Sequence, residues 1–229
     1  MSTLKINEIF YSIQGESTHV GVPCIFIRFS GCIQNCSFCD SKYAWDEGFE
    51  IEPHEILIRI RQESLKCKNV CITGGEPFEQ REGLSKLVKL LDDNEYNVCI
   101  ETNGVHYIGG VPGAFIAIMD IKCPSSEGEG KFDLDNLEIL DHEDNLKFVA
   151  YIDKDFEFIE KFLSTHKNEI EDIPILISPV LTESQFVNEE RMKNTADEVK
   201  RLGNMFPDLD IRMQIQIHKI IWGAMTRGV

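Results

Sequence analysis

The sequence predicts an α/β fold: a barrel-type sheet of mostly parallel strands with helices on its outside. Two observations carry that prediction. Apolar, β-rich runs alternate with stretches of helical periodicity along the chain. Several of the runs are apolar almost throughout, as in a sheet covered on both faces. The length of 229 residues fits one α/β domain, so residues 1–229 are expected to form a single unit.

In chain order, the expected strands are Cys24–Ser30, Val70–Thr73, Val98–Glu101, Phe115–Ile121, Leu146–Ala150, Ile173–Ser178 and Ile211–Ile217. Helices are expected at Pro53–Leu65, with Ile56, Leu57 and Ile60, and at Glu79–Leu91, with Leu84, Leu87, Val88 and Leu91. Two more are expected at Asp153–His166, with Phe156, Ile159, Phe162 and Leu163, and at Asn188–Asn204, with Met192, Ala196, Val199 and Leu202. Each set recurs every three or four residues and gives one apolar face. The acidic stretch Pro124–Asn145 reads as a solvated surface loop, with a mobile flap as the alternative.

Hydrophobic residues make up 42% and charged residues 27%, the balance of a soluble globular chain. No apolar run reaches the roughly 18 residues of a membrane span. The start, Met1 to Glu8, lacks the apolar core of a signal peptide, so the chain is expected in the cytoplasm. With 23 Lys and Arg against 39 Asp and Glu, the net charge is −16. Such a field repels phosphate backbones and argues against nucleic-acid binding.

The eight cysteines are 24, 32, 36, 39, 67, 71, 99 and 123. Three of them, Cys32, Cys36 and Cys39, fall within one loop after a long strand. Thiolates so close converge only around something, and as soft donors they suit iron–sulfur or zinc sites. A structural zinc site needs a fourth ligand, and no obvious second pair exists. Spacing therefore favours an iron–sulfur cluster with one open iron, leaving zinc and core packing as the alternatives. Thr73-Gly74-Gly75-Glu76-Pro77 follows the next strand, where two glycines let backbone approach a ligand and Glu76 is a candidate acceptor for an ammonium group. Its bland alternative is a glycine-rich turn with Pro77 opening a helix. Further polar residues end later strands: Glu101 to Gly104, Asp120 to Lys122, Ser178-Pro179, Gln216 and His218. Carboxyl-terminal strand ends form the active face of parallel barrels.

The Cys-x3-Cys-x2-Cys loop, with Phe38 before its last cysteine, resembles the radical S-adenosylmethionine superfamily. That resemblance implies a partial, TIM-like barrel, a [4Fe–4S] cluster on the three cysteines, and S-adenosylmethionine on the fourth iron. More specific segments are Ile13-Gln14-Gly15-Glu16, Arg28 in its strand, Cys39-Asp40-Ser41 and the tail from Gln216 to Trp222. Together they resemble the 7-carboxy-7-deazaguanine synthase family of 7-deazapurine (queuosine-type) biosynthesis. Family members convert 6-carboxy-5,6,7,8-tetrahydropterin to 7-carboxy-7-deazaguanine with release of ammonia. The radical takes hydrogen from C6, the ring contracts, S-adenosylmethionine is regenerated and Mg2+ is required.

By motif position, the resemblance places Ile13, Gln14, Gly15 and Glu16 at the pterin edge, with Thr73, His218 and the Val229 carboxylate also facing substrate. Arg28 would pair with the substrate carboxylate, unless a local acid takes it. Ser41 would ligate Mg2+. Phe38, Cys39, Asp40, Gly75, Glu76, Lys122 and Ser178 would line S-adenosylmethionine. Departures from the family pattern fall at Ser41, where many members carry Thr, at Asp120-Ile121-Lys122, where many carry Ser-Pro-Lys, and at Ser178, where many carry Gln. Asp120 receives no role. The resemblance further implies a homodimer and a reductant protein such as flavodoxin or ferredoxin. His218 is expected at the end of the last strand, with Ile220, Ile221 and Trp222 packing the tail onto the body. The rival readings are a glycyl-radical enzyme activase of the same superfamily and a non-catalytic zinc-binding module.

Overall fold

A computed structural model describes residues 3–128, 131–181, 189–223 and 226–229. Nine strands form one open sheet: β1 (Leu4–Ile13), β2 (Pro23–Phe29), β3 (Phe49–Ile51), β4 (Asn69–Gly74), β5 (Asn97–Thr102), β6 (Ile116–Asp120), β7 (Asn145–Ala150), β8 (Ile175–Pro179) and β9 (Ile211–Met213). Their order is β3-β1-β2-β4-β5-β6-β7-β8-β9. From β2 to β9 every neighbour is parallel, while β1 runs antiparallel to β2 and β3. The sheet is thus the unclosed parallel barrel that the sequence predicts.

Helices α1 (Pro53–Glu63), α2 (Arg81–Asp92), α3 (Asp153–His166) and α4 (Glu189–Met205) match the expected periodic stretches within a few residues. Ile56, Leu57 and Ile60 of α1 and Leu84, Leu87, Val88 and Leu91 of α2 are buried against Ile25, Ile27, Ile72 and Ile100 of the sheet. Phe156, Ile159, Phe162 and Leu163 of α3 close a second core over Leu146, Phe148, Ile175 and Ile177. Burying one such side chain stabilises by about 1.5–3 kcal/mol.

Three expectations change. The sequence predicts no strand before Cys24, yet β1 is the longest strand among the described residues. Its ladder to β2 shifts register between Ile6 and Glu8. That bulge places buried Ile6 opposite Phe29 but turns Glu8 onto the face of Arg28, so simple alternation is lost. The final strand stops at Met213, and His218 stands not at a strand end but in a short helix, α5 (Ile217–Ile221). The described part of Pro124–Asn145 is tied down rather than free. Asn136 is fully buried and donates to the Gly104 and His106 carbonyls at 3.0 Å, and Ser125 binds the Asp155 carboxylate.

Candidate active site

The carboxyl ends of β2, β4, β5, β6, β7 and β8, with the chain after β9, surround one cavity. Its cysteines are Cys32, Cys36 and Cys39, all from the loop after β2. That loop is sewn to its neighbours. Gly31 N–H donates to the Ala44 carbonyl at 2.8 Å, and Ser37 N–H and Oγ reach Ser126 and Ser125 carbonyls. The glycine turn after β4 lies against it. Glu76 N–H donates to the Gly31 carbonyl at 2.7 Å, and a Cβ on Gly75 would stand 1.7 Å from that same oxygen. Only glycine allows this approach.

The donor set suits a cluster with an open iron: three cysteines, soft sulfur donors, line one cavity, and no fourth cysteine lines it among the described residues. Burial pushes the Cys32 thiol up to about 11 and raises Cys36, so thiolates there need a nearby positive charge. Lys122 supplies some of it beside Cys36. Cys24 and Cys71 belong elsewhere: they pack with Phe10 and Phe26 in a separate apolar group. There burial raises both thiols far above their usual range.

Ile13, Gln14, Gly15, Glu16, Arg28, Phe38, Asp40, Ser41, Thr73, Gly75, Lys122, His218 and Val229 all line this cavity with the cysteines. Glu76 and Ser178 are not in its wall. Glu76 has no accessible surface, and its oxygens accept from Phe78 N–H (3.0 Å), Thr102 Oγ1 (2.8 Å) and Asn103 N–H (2.7 Å). It fastens the glycine turn to the end of β5 instead of presenting a carboxylate to the cavity. Ser178 is fully buried in β8, and its neighbours Val180 and Leu181 reach the wall in its place.

Arg28 has a local acid as its partner and also lines the cavity. Its Nε donates to Glu8 Oε1 at 2.7 Å, and Tyr43 OH donates to the same oxygen at 2.9 Å. Its guanidinium carbon lies 5.7 Å from the Phe10 ring centre and 5.8 Å from that of Tyr43. The guanidinium is thus held over the cavity by an acid and two aromatic faces. Its pKa is raised despite desolvation, because Tyr43, Glu8 and Asp40 lie around it. Thr73 Oγ1 donates to Glu101 at 2.6 Å, which also faces Gln14 Nε2 at 3.4 Å.

The tail carries its own polar anchors. Gln216 Nε2 donates to Glu16 at 2.6 Å, Ile217 N–H to the Gly15 carbonyl at 3.1 Å, and Lys219 Nζ to Asp40 at 2.6 Å. A Cβ on Gly15 would fall 2.1 Å from His218 Nδ1, so the glycine makes room for the histidine. Burial lowers the His218 pKa and favours its neutral form. Ile220 and Ile221 are half exposed, contrary to the expected apolar packing of the tail. Sequence reasoning missed Glu8, Tyr43, Lys147 and Lys219; a buried cation opposite an acid leaves no local pattern.

Comparison with known proteins agrees with this geometry. Residues 26–110 match the model of the Radical SAM superfamily. A curated 7-carboxy-7-deazaguanine synthase from Koribacter versatilis is 34% identical over 99% of this chain and 100% of its own length. A second, from Methanospirillum hungatei, is 35% identical over 96% of this chain and 86% of its own. The crystal structure of QueE from Escherichia coli superposes with a TM-score of 0.73 at 23% identity, covering 94% of each chain. Near-complete coverage at this identity makes the assignment: the chain belongs to the 7-carboxy-7-deazaguanine synthase family, radical S-adenosylmethionine enzymes of 7-deazapurine biosynthesis.

Proposed function

We propose that the chain converts 6-carboxy-5,6,7,8-tetrahydropterin to 7-carboxy-7-deazaguanine and ammonia, and that the cavity residues divide the work as follows. Cys32, Cys36 and Cys39 hold a [4Fe–4S] cluster, with Phe38, Asp40, Gly75 and Lys122 around S-adenosylmethionine. When bound, cluster and cofactor supply the hydrogen-atom abstraction at C6. Arg28, oriented by Glu8 and Tyr43, offers its remaining N–H groups to the substrate carboxylate. Gln14, Glu16 and the Thr73–Glu101 pair present acceptors and donors to the ring edge. Lys147 and Lys219 hold Glu16 ionised against the pull of burial, which suits it to accept N–H bonds. Neutral His218 and Val229 close the substrate side. Ser41 offers its hydroxyl to Mg2+, with substrate and water oxygens completing a hard-cation site. Glu76 and Ser178 serve as supports rather than ligands in this scheme.

One observation carries the reading: a three-thiol loop and a partly buried arginine open on the same cavity, which supports a cluster and a carboxylate binder side by side. The glycyl-radical activase needs a protein substrate, and the partly buried Arg28 guanidinium suits a small carboxylated ring better. A cytoplasmic homodimer served by a flavodoxin or ferredoxin completes the proposal. No helix among the described residues is long and apolar enough to cross a membrane.

The test is an anaerobic assay of reconstituted protein with the carboxytetrahydropterin, S-adenosylmethionine, Mg2+ and a reductant. Expected are about four irons per chain and formation of 7-carboxy-7-deazaguanine. Cys32→Ala, Cys36→Ala and Cys39→Ala each abolish both, and Cys67→Ala abolishes neither. Stoichiometric zinc in protein prepared without air, or cofactor cleavage without product, would overturn the assignment.

A further inference from the structure

Lys147 stands on β7 with only 9% of its side chain exposed, a position where an ammonium group persists only if it is paired. It has two partners from distant parts of the chain. One is Glu16, after β1, bound in close contact; the other is Asp120, at the end of β6, with Oδ2 3.3 Å away. Each carboxylate has a second partner. Gln216 Nε2 donates to Glu16 at 2.6 Å, and Lys122 Nζ lies 2.9 Å from Asp120. The four charges cancel. Asp120 Oδ1 is buried and, among the described residues, has no partner, so this side of the group keeps a free acceptor.

We propose that Lys147 is the positioning residue that locks the substrate side of the cavity, through Glu16, to its cofactor side, through Asp120 and Lys122. This role rests on the reading above, in which Glu16 meets the pterin and Lys122 the S-adenosylmethionine. A lysine suits the task because its compact ammonium has three donors and can share them between two carboxylates. Removing it leaves two carboxylates facing one lysine across a buried space. Glu101, which also faces Lys147, loses the same cation, and Glu16 keeps Lys219 as its charged neighbour. Its carboxyl climbs back toward or above the ordinary range.

The test uses the full-length reconstituted protein and 6-carboxypterin, an oxidised and unreactive analogue, followed by its fluorescence. Wild type is expected to bind with little pH dependence between about pH 5 and 7.5. Lys147→Met should weaken binding about tenfold at pH 7.5 and weaken it further as the pH falls, because Glu16 now takes up a proton. It should also raise the S-adenosylmethionine cleaved per product formed. Lys147→Arg should restore most of the affinity. Combining Lys147→Met with Glu16→Gln should flatten the pH profile again, an effect that simple loss of packing does not produce. That double variant also serves if Lys147→Met alone fails to fold. Wild-type binding with an unaltered Lys147→Met would overturn the role of Lys147 alone. Absence of binding by wild type would overturn the pterin reading and this role with it.

Discussion

Glu76 has no accessible surface, yet it is a carboxyl that three donors approach at 2.7–3.0 Å. The donors favour the charged form, but desolvation outweighs them, and the pKa is pushed up from 4.5 to about 7. The folded chain therefore holds this proton more tightly than the unfolded chain. The stability that Glu76 contributes is fully present below pH 4.5 and is lost as the pH rises through about 7. Across that window the loss amounts to about 3 kcal/mol, at about 1.4 kcal/mol per unit. Glu76→Gln has no such slope, although its amide N–H2 faces donors and costs about 1–3 kcal/mol at every pH. Denaturant unfolding at pH 4.5 and pH 8 is the check. The stability of wild type relative to Glu76→Gln should fall over that interval, and a constant difference would mean that the carboxyl titrates normally.

Helix α5 has five residues, too few to be stable alone, and it holds its place through partners at both ends. Lys219, with 7% of its side chain exposed, reaches Asp40 beside the last cysteine of the loop, and against the opposing effect of desolvation Lys219 and Arg28 hold that carboxyl well below its usual range. Lys219→Met should release α5. Amide exchange over residues 217–222 should rise, and 6-carboxypterin affinity should drop about tenfold, while iron content stays at the wild-type value. Unchanged exchange would assign the hold to Gln216 and Ile217 instead. This element also shows what the sequence discloses. Helices α1 to α4 were legible because their burial follows a 3.6-residue repeat. The cysteine loop and glycine turn were legible because each site is written in consecutive residues. Strand β1 was not, since the bulge after Ile6 breaks its alternation. The same shift hides Glu8, which reaches Arg28 only through the fold. Ile220, Ile221 and Trp222 pointed to apolar packing, whereas the tail is held by Gln216, Ile217 and Lys219, polar contacts that no periodicity announces.

The sheet never closes, because β3 and β9 remain its two edges. Polar side chains span the opening where another barrel would place strand pairing. Asn145 at the start of β7 accepts from Thr18 N–H at 3.0 Å. Gln214, just past β9, takes both backbone groups of Ser17: its Oε1 accepts from Ser17 N–H at 2.9 Å and its Nε2 donates to the Ser17 carbonyl at 2.8 Å. Ser17 is 1% exposed and has φ of 65°, a left-handed conformation unfavourable for a residue with a Cβ. The two bonds thus hold a strained residue directly behind Gln14, Gly15 and Glu16, and tie that segment to the far edge of the sheet. Gln214→Ala leaves the buried Ser17 N–H unpaired, while the Ser17 carbonyl keeps Val20 N–H at 3.3 Å, so a loss of about 1–3 kcal/mol is expected in denaturant unfolding. Pterin-analogue affinity should fall with it, since the Gln14–Glu16 segment loses its anchor, while the cluster loop keeps its own contacts to Ser125, Ser126 and Ala44. Ser17→Gly, which relieves the left-handed strain by about 1 kcal/mol, should recover part of the stability when added to Gln214→Ala. It should not recover the affinity, because the tie across the opening stays cut. Recovery of both together would mean that Gln214 serves only to pay for the turn; recovery of neither would mean that the strain at Ser17 is borne elsewhere in the fold.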